Sequence, residues 1–111
     1  MKGFGDLYKS KQKRNKKTKP SKEQIINQAI QFHLKGNISE ATKYYQLLIN
    51  EGCKDERVFS NYGAILQGLN EVREAKKFYL KAIKLNPNYD VAHSNLGNIL
   101  RDLGNLQEAE R

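Results

Sequence analysis

From Lys22 onward, apolar residues return every three or four positions, and short clusters of Gly, Asn or Pro interrupt them at intervals. Phe59, Tyr62, Leu66 and Leu69 fall on one stripe of a helix; Val72, Ala75, Phe78, Tyr79, Ala82 and Ile83 fall on one stripe of a second. Between them, Gly68-Leu69-Asn70 marks a helix end, because Asn tolerates the left-handed conformation that closes one. Asn86-Pro87-Asn88 stops the second helix, since proline lacks an N–H and restricts the residue before it. Gly63 and Ala75 are placed on the inner faces, where a missing side chain lets two backbones approach. Neither helix buries its stripe alone, so the two must pair with each other and with neighbours.

The pair recurs with a period of 34 residues. Downstream, Tyr62-Gly63 returns as Leu96-Gly97, Asn61 as Asn95, Leu66 as Leu100 and Glu74-Ala75 as Glu108-Ala109. Upstream, Asn61 is matched by Asn27, Gly63 by Ala29, Leu66 by Phe32, Glu74-Ala75 by Glu40-Ala41, and Phe78-Tyr79 by Tyr44-Tyr45. Large–Gly, an aromatic or aliphatic residue, Ala, Tyr/Phe, Ala and Pro at these offsets resemble the tetratricopeptide repeat family. The match is looser over 22–55, where Gln28, Leu48 and Cys53 replace the family's Leu, Ala and Pro. The resemblance implies an all-α solenoid of about two and a half helix–turn–helix units, at about 22–55, 56–89 and 90–111.

Ser21-Lys22-Glu23-Gln24 fits a capping box at the start of the first helix, which is expected to run to about Lys35 and stop at Gly36. Asn37-Ile38-Ser39-Glu40 repeats the same logic for a helix ending near Glu51-Gly52. Gln28, Gln31 and Lys35 are polar where later repeats carry apolar residues, so Lys22 reads as the start of the array. At the other end a helix is expected over Asp90–Leu103, a turn at Gly104-Asn105, and a second helix opening at Leu106. The sequence reaches 22 residues into that unit, which reads as part of a longer protein. Leu96, Ile99, Leu100 and Leu103 are expected to lose part of their cover, leaving an edge open to self-association.

Charge changes the picture at one end only. Residues 1–20 hold eight Lys/Arg against the single acid Asp6, so +7 of the net +8 lies there. The run KSKQKRNKKTKP is expected to be a flexible leader. Lys11, Lys13, Arg14, Lys16 and Lys17 offer weak, salt-sensitive phosphate contact, and the lack of interleaved aromatics argues against specific nucleic-acid readout. The opening KGFGDLYKS joined to such repeats resembles repeat proteins of marine cyanobacteria, some of which carry a sulfotransferase- or glycosyltransferase-like domain. That likeness implies, as an alternative, a substrate-presenting arm of a longer enzyme.

No run approaches a membrane-spanning length, the N-terminus lacks a signal peptide's apolar core, and the lone Cys53 suits a reducing compartment. A cytoplasmic location is the expectation. His33 and His93 lack partners at metal-ligand spacing, His33 being expected to face solvent and His93 the edge of the core. No phosphate loop, nucleophile elbow or zinc motif appears, so neither catalysis nor a cofactor or metal is expected.

In the family, the first helix of each pair lines a concave groove, which places Asn27, Asn61 and Asn95 in a ladder there. Side-chain amides offer donors and an acceptor to a peptide backbone; a similar ladder in O-linked N-acetylglucosamine transferases holds extended peptides. Hydrogen bonding between the helices is the plainer alternative. Ile26, Ile30 and Leu34 form a further apolar stripe on the groove side, open to a ligand's apolar anchor or to contact near Ser60 and Ala64. Arg57, Gln67, Asn98, Arg101 and Asp102 add polar positions. At the five sites where chaperone-binding relatives clamp a terminal carboxylate, this chain has Ile26, Ile30, Asn61, Val91 and Asn95, so the cations that clamp would need are missing. The expected role is a protein–protein interaction module that holds a peptide or protein segment.

Overall fold

The computed structural model describes residues 19–109. Among these the chain is all α: α1 (Lys22–Leu34), α2 (Ile38–Asn50), α3 (Glu56–Gly68), α4 (Val72–Leu85) and α5 (Asp90–Ala109). The expected leader, with Lys11, Lys13, Arg14, Lys16 and Lys17, lies outside the described residues except for its last two positions. Two compact units are formed, one reaching Glu51 and the other beginning at Gly52.

In the first unit α1 pairs with α2. The capping box opens α1: Gln24 N–H donates to Ser21 Oγ at 3.1 Å, and Ser21 N–H donates to Gln24 Oε1 at 2.8 Å. Gly36, at φ +80°, closes it, with Gly36 N–H on the His33 carbonyl and Asn37 N–H on the Phe32 carbonyl. Asn37 does not cap α2 as expected, and its side chain makes no cap hydrogen bond. The physical reason is its double duty. Its N–H is spent closing α1, and the tight turn holds it at ψ 72°, short of the extended conformation that aims a capping side chain. Ala29, Ala41, Tyr44, Tyr45 and Leu48 are buried here, with the Phe32 and Tyr44 rings 5.3 Å apart.

In the second unit α3 pairs with α4, and α5 packs on α4 and touches α3. Asn70 takes φ +64°, and its N–H bonds the Gln67 carbonyl while Glu71 N–H bonds that of Leu66. This is the closure that α1 achieves with Gly36. Leu66, Val72, Ala75, Tyr79 and Ile99 make the core, ringed by Tyr62, Phe78, Leu96 and Leu103. Tyr79 is fully buried, and its ring lies directly over Gly63: a Cβ there would stand 3.0 Å from Tyr79 Cε1. Phe78 meets Tyr62 edge-on at 4.8 Å, filling the other side of the seam.

The end of the chain departs from expectation. Instead of breaking at Gly104-Asn105, α5 runs as one helix of 20 residues from Asp90 to Ala109. Gly104 occupies the register of Gly36 and Asn70, yet stays helical. A turn there would give up helical backbone hydrogen bonds, and a glycine inside a helix costs only about 1 kcal/mol relative to alanine. Extending α5 instead keeps each N–H bonded within the helix. The loss of cover falls unevenly on the four apolar positions. Ile99 is fully buried, Leu96 and Leu103 are half-buried, and Leu100 is 50% exposed.

Gly63 and Gly97 share a register but face opposite circumstances, since nothing lies within 4 Å of a Cβ at Gly97. Gly63→Val is expected to cost about 2 kcal/mol, as overpacking drives the Tyr79 ring off its seat. Gly97→Ala is expected to stabilise by about 0.5–1 kcal/mol through helix propensity alone. Urea titrations followed by circular dichroism measure both.

Candidate functional site

Asn27, Asn61 and Asn95 each stand five residues into their helix, on α1, α3 and α5. Asn27 is exposed, and Asn61 and Asn95 are half-buried. None of the three side-chain amides hydrogen-bonds a described residue. Among the described residues, each amide's two N–H donors and carbonyl acceptor are without a partner.

The apolar stripe on α1 runs from core to solvent instead of forming a uniform surface. Ile26 is 3% exposed and belongs to the interior, Ile30 is half-buried, and Leu34 is 76% exposed. Only Ile30 and Leu34 have area to offer an apolar anchor.

Arg57 is committed locally. Its Nε and Nη2 donate to Asp55 Oδ1 and Oδ2 at 3.0 and 2.8 Å, while its backbone N–H donates to Asp55 Oδ1 at 2.9 Å. Asp55 caps α3 and is gripped by the residue it caps, and those hydrogen bonds hold its carboxyl below the usual range. The α4–α5 loop is tied to the same corner: Asn86 Nδ2 donates to Glu56 Oε2 at 3.0 Å. Burial, then the Glu56 charge, raises the Tyr89 hydroxyl pKa there. On α5, Arg101 Nη2 donates to Asn98 Oδ1 at 3.2 Å, so two of the expected polar positions act as one exposed pair.

The histidines sit elsewhere than expected. His33 does not point free into solvent; it meets the Tyr45 ring edge-on, with Nδ1 3.3 Å from the Tyr45 hydroxyl. His93 is not at the core edge but exposed, its Nε2 2.7 Å from the Pro87 carbonyl. Gln67 likewise is no free groove position, because its Oε1 accepts the Tyr79 hydroxyl at 2.7 Å.

His33–Tyr45 and Gln67–Tyr79 are the same contact one period apart. Each unit seats a buried tyrosine against a small residue, Ala29 or Gly63 by register. A polar side chain one turn further along the same helix then meets its hydroxyl. The signal was present in the sequence as two pairs spaced twelve apart, but a histidine and a glutamine do not look alike until their shared role is seen. Burial pushes the Tyr79 hydroxyl up to about 12, so it stays a donor throughout the ordinary pH range.

Among the described residues, no group of three His, Cys, Asp or Glu is placed to hold a metal ion. No described helix is long and apolar enough to cross a membrane. Two sequence profiles of the tetratricopeptide repeat match the chain, one over residues 56–89 and one over residues 78–111. The first spans the α3–α4 pair, and the second begins inside α4 and carries through α5. No curated protein is similar enough to the chain to be matched with it.

Burial lowers the His33 pKa from 6.5, so folding favours its neutral ring. The stability this contributes is present above the unfolded value and is lost as pH falls through the lower, folded value. Thermal melts taken from about pH 7.5 down to about pH 5 should show a fall in midpoint. The fall should shrink in His33→Gln, which borrows the second unit's solution.

Proposed function

Through residues 56–111 the chain belongs to the tetratricopeptide repeat family, and we propose that it is a protein–protein interaction module whose first-helix faces hold a peptide segment in extended form. One observation supports this above the rest: the amides of Asn61 and Asn95 repeat in the same register on α3 and α5, half-buried and without a hydrogen-bond partner among the described residues. A peptide backbone offers a donor and an acceptor at each residue, so a ladder of amides reads main chain without demanding particular side chains. Within the first unit, taken by itself, Asn27 carries the same group on α1, with apolar area of Ile30 and Leu34 on the same helix. Asn98 and Arg101 extend the polar face of α5.

Each amide–backbone hydrogen bond is worth about 0.5–1.5 kcal/mol net, so losing two should weaken binding about tenfold. Selection from a random peptide library, followed by titration of the winners against Asn61→Ala/Asn95→Ala, measures this. The reading predicts weaker binding with helical circular dichroism unchanged. Equal affinity for the double variant would count against it.

A further inference from the structure

The solvent face of α4 carries charge of one sign. Val72–Leu85 holds five cations, Arg73, Lys76, Lys77, Lys81 and Lys84, against the single acid Glu74. Arg73, Lys77, Lys81 and Lys84 follow one another at three- and four-residue spacings, so they form one row on the side away from buried Tyr79, and all four are exposed. Lys77 shares Glu74 at 3.0 Å. Lys81 Nζ stands 5.9 Å from the centre of the Phe59 ring, a contact that positions the ammonium without cancelling its charge. The row spans about 16 Å of helix.

The first unit shows that the fold does not ask for this charge. On α2 the same registers hold Ser39, Thr42, Lys43, Leu47 and Asn50, and Lys43 pairs with Glu40 at 3.3 Å as Lys77 does with Glu74. The ion pair is thus common to both units, and Arg73, Lys76, Lys81 and Lys84 are added in the second alone. The face is open in both. On α2, with three more helices after it in the chain, Ser39, Gln46 and Asn50 are exposed at the registers of Arg73, Leu80 and Lys84. The added cations also work against the helix. Arg73 with Lys77, and Lys77 with Lys81, are like charges four apart, and Arg73 stands in the first turn, where the helix dipole disfavours a cation. Local rules broken with no gain in packing point to a use outside folding.

We propose that this face of α4 holds the phosphate backbone of a nucleic-acid duplex, without regard to base sequence. A duplex presents one negative charge per roughly 1.7 Å of axis, so about ten phosphates stand along a length equal to the row. Lysine supplies four of the five cations, and its compact charge on a flexible stem suits phosphates whose exact positions vary. An acidic protein segment would need an unbroken run of carboxylates to match that density. Phe78 and Tyr79 pack against α3, which leaves neither ring on this face for a single strand's bases to stack on. Val72, Ala75, Tyr79 and Ala82, the apolar face of α4, are buried, so that face is not offered to a membrane.

The probe is a fluorescein-labelled DNA duplex titrated with the full chain between about 50 and 200 mM salt. Anisotropy should rise to saturation, with equal affinity for a second duplex of unrelated sequence. The variant Arg73→Gln/Lys81→Gln/Lys84→Gln leaves the Glu74–Lys77 pair in place. It should bind at least tenfold more weakly, with the slope of log K against log salt shallower by about 2.7, or about 0.9 for each cation removed. Its helical circular dichroism should be unchanged and its melting midpoint no lower, since like-charge neighbours are removed. The Asn61→Ala/Asn95→Ala variant should bind the duplex as the natural chain does, which keeps the two surfaces separable. Equal binding by the triple variant overturns the proposal; residues 1–20 hold eight further Lys/Arg, and loss of binding on neutralising Lys11, Lys13, Arg14, Lys16 and Lys17 would then place the contact there. No binding of either duplex overturns it, as does capture of phosphatidylserine vesicles through the α4 cations while the duplex is ignored.

Discussion

A tyrosine ring lying on bare backbone holds the second unit together. Tyr79 is fully buried, its ring carbon would stand 3.0 Å from any Cβ at Gly63, and its hydroxyl donates to Gln67 one turn further along α3. Each part constrains the others. The ring needs the glycine to approach, the buried hydroxyl needs an acceptor to offset its lost water, and the acceptor must lie on the helix that supplies the seat. These demands fix the rotation and height of α4 against α3. Phe78 and Val72 then fall into the seam beside Tyr62 and Leu66. The first unit meets the same demands with Ala29, Tyr45 and His33, at the cost of an acceptor that titrates.

Most of this architecture was legible because it depends on local signals repeated in phase. Gly36, Asn70 and Gly52 stand at left-handed positions where only glycine or asparagine is at ease, and they mark the ends of α1, α3 and α2. Ser21 with Gln24, and the stop at Asn86-Pro87, behave as their chemistry dictates. What failed to show was whatever depends on a neighbour. Asn37 looks like a cap but is held by the turn it closes. Gly104 looks like a turn, yet stays helical within α5. Ile26 looks like a ligand anchor beside Ile30 and Leu34, but burial separates three residues that sequence spacing cannot tell apart.

Of the proposed site, the spacing of the asparagines is readable in the sequence, and the partners of the neighbouring polar residues are not. Asn27, Asn61 and Asn95 stand out by period alone, and their amides have no hydrogen-bond partner among the described residues. Arg57, Gln67 and His33 read as open polar positions from the sequence, but each is used within the fold, either to grip a cap or to meet a buried hydroxyl. Residues that look equally available are thus divided into those the fold consumes and those it leaves over. The asparagines are among the latter.

The seating of Tyr79 is tested most directly by nuclear Overhauser contacts in the folded chain. Strong cross-peaks between the Gly63 Hα protons and the Tyr79 ring, together with a Tyr79 hydroxyl proton slowed in exchange by Gln67, are the predicted result. A Tyr79 ring that contacts no Gly63 proton and exchanges its hydroxyl freely with water would contradict the account.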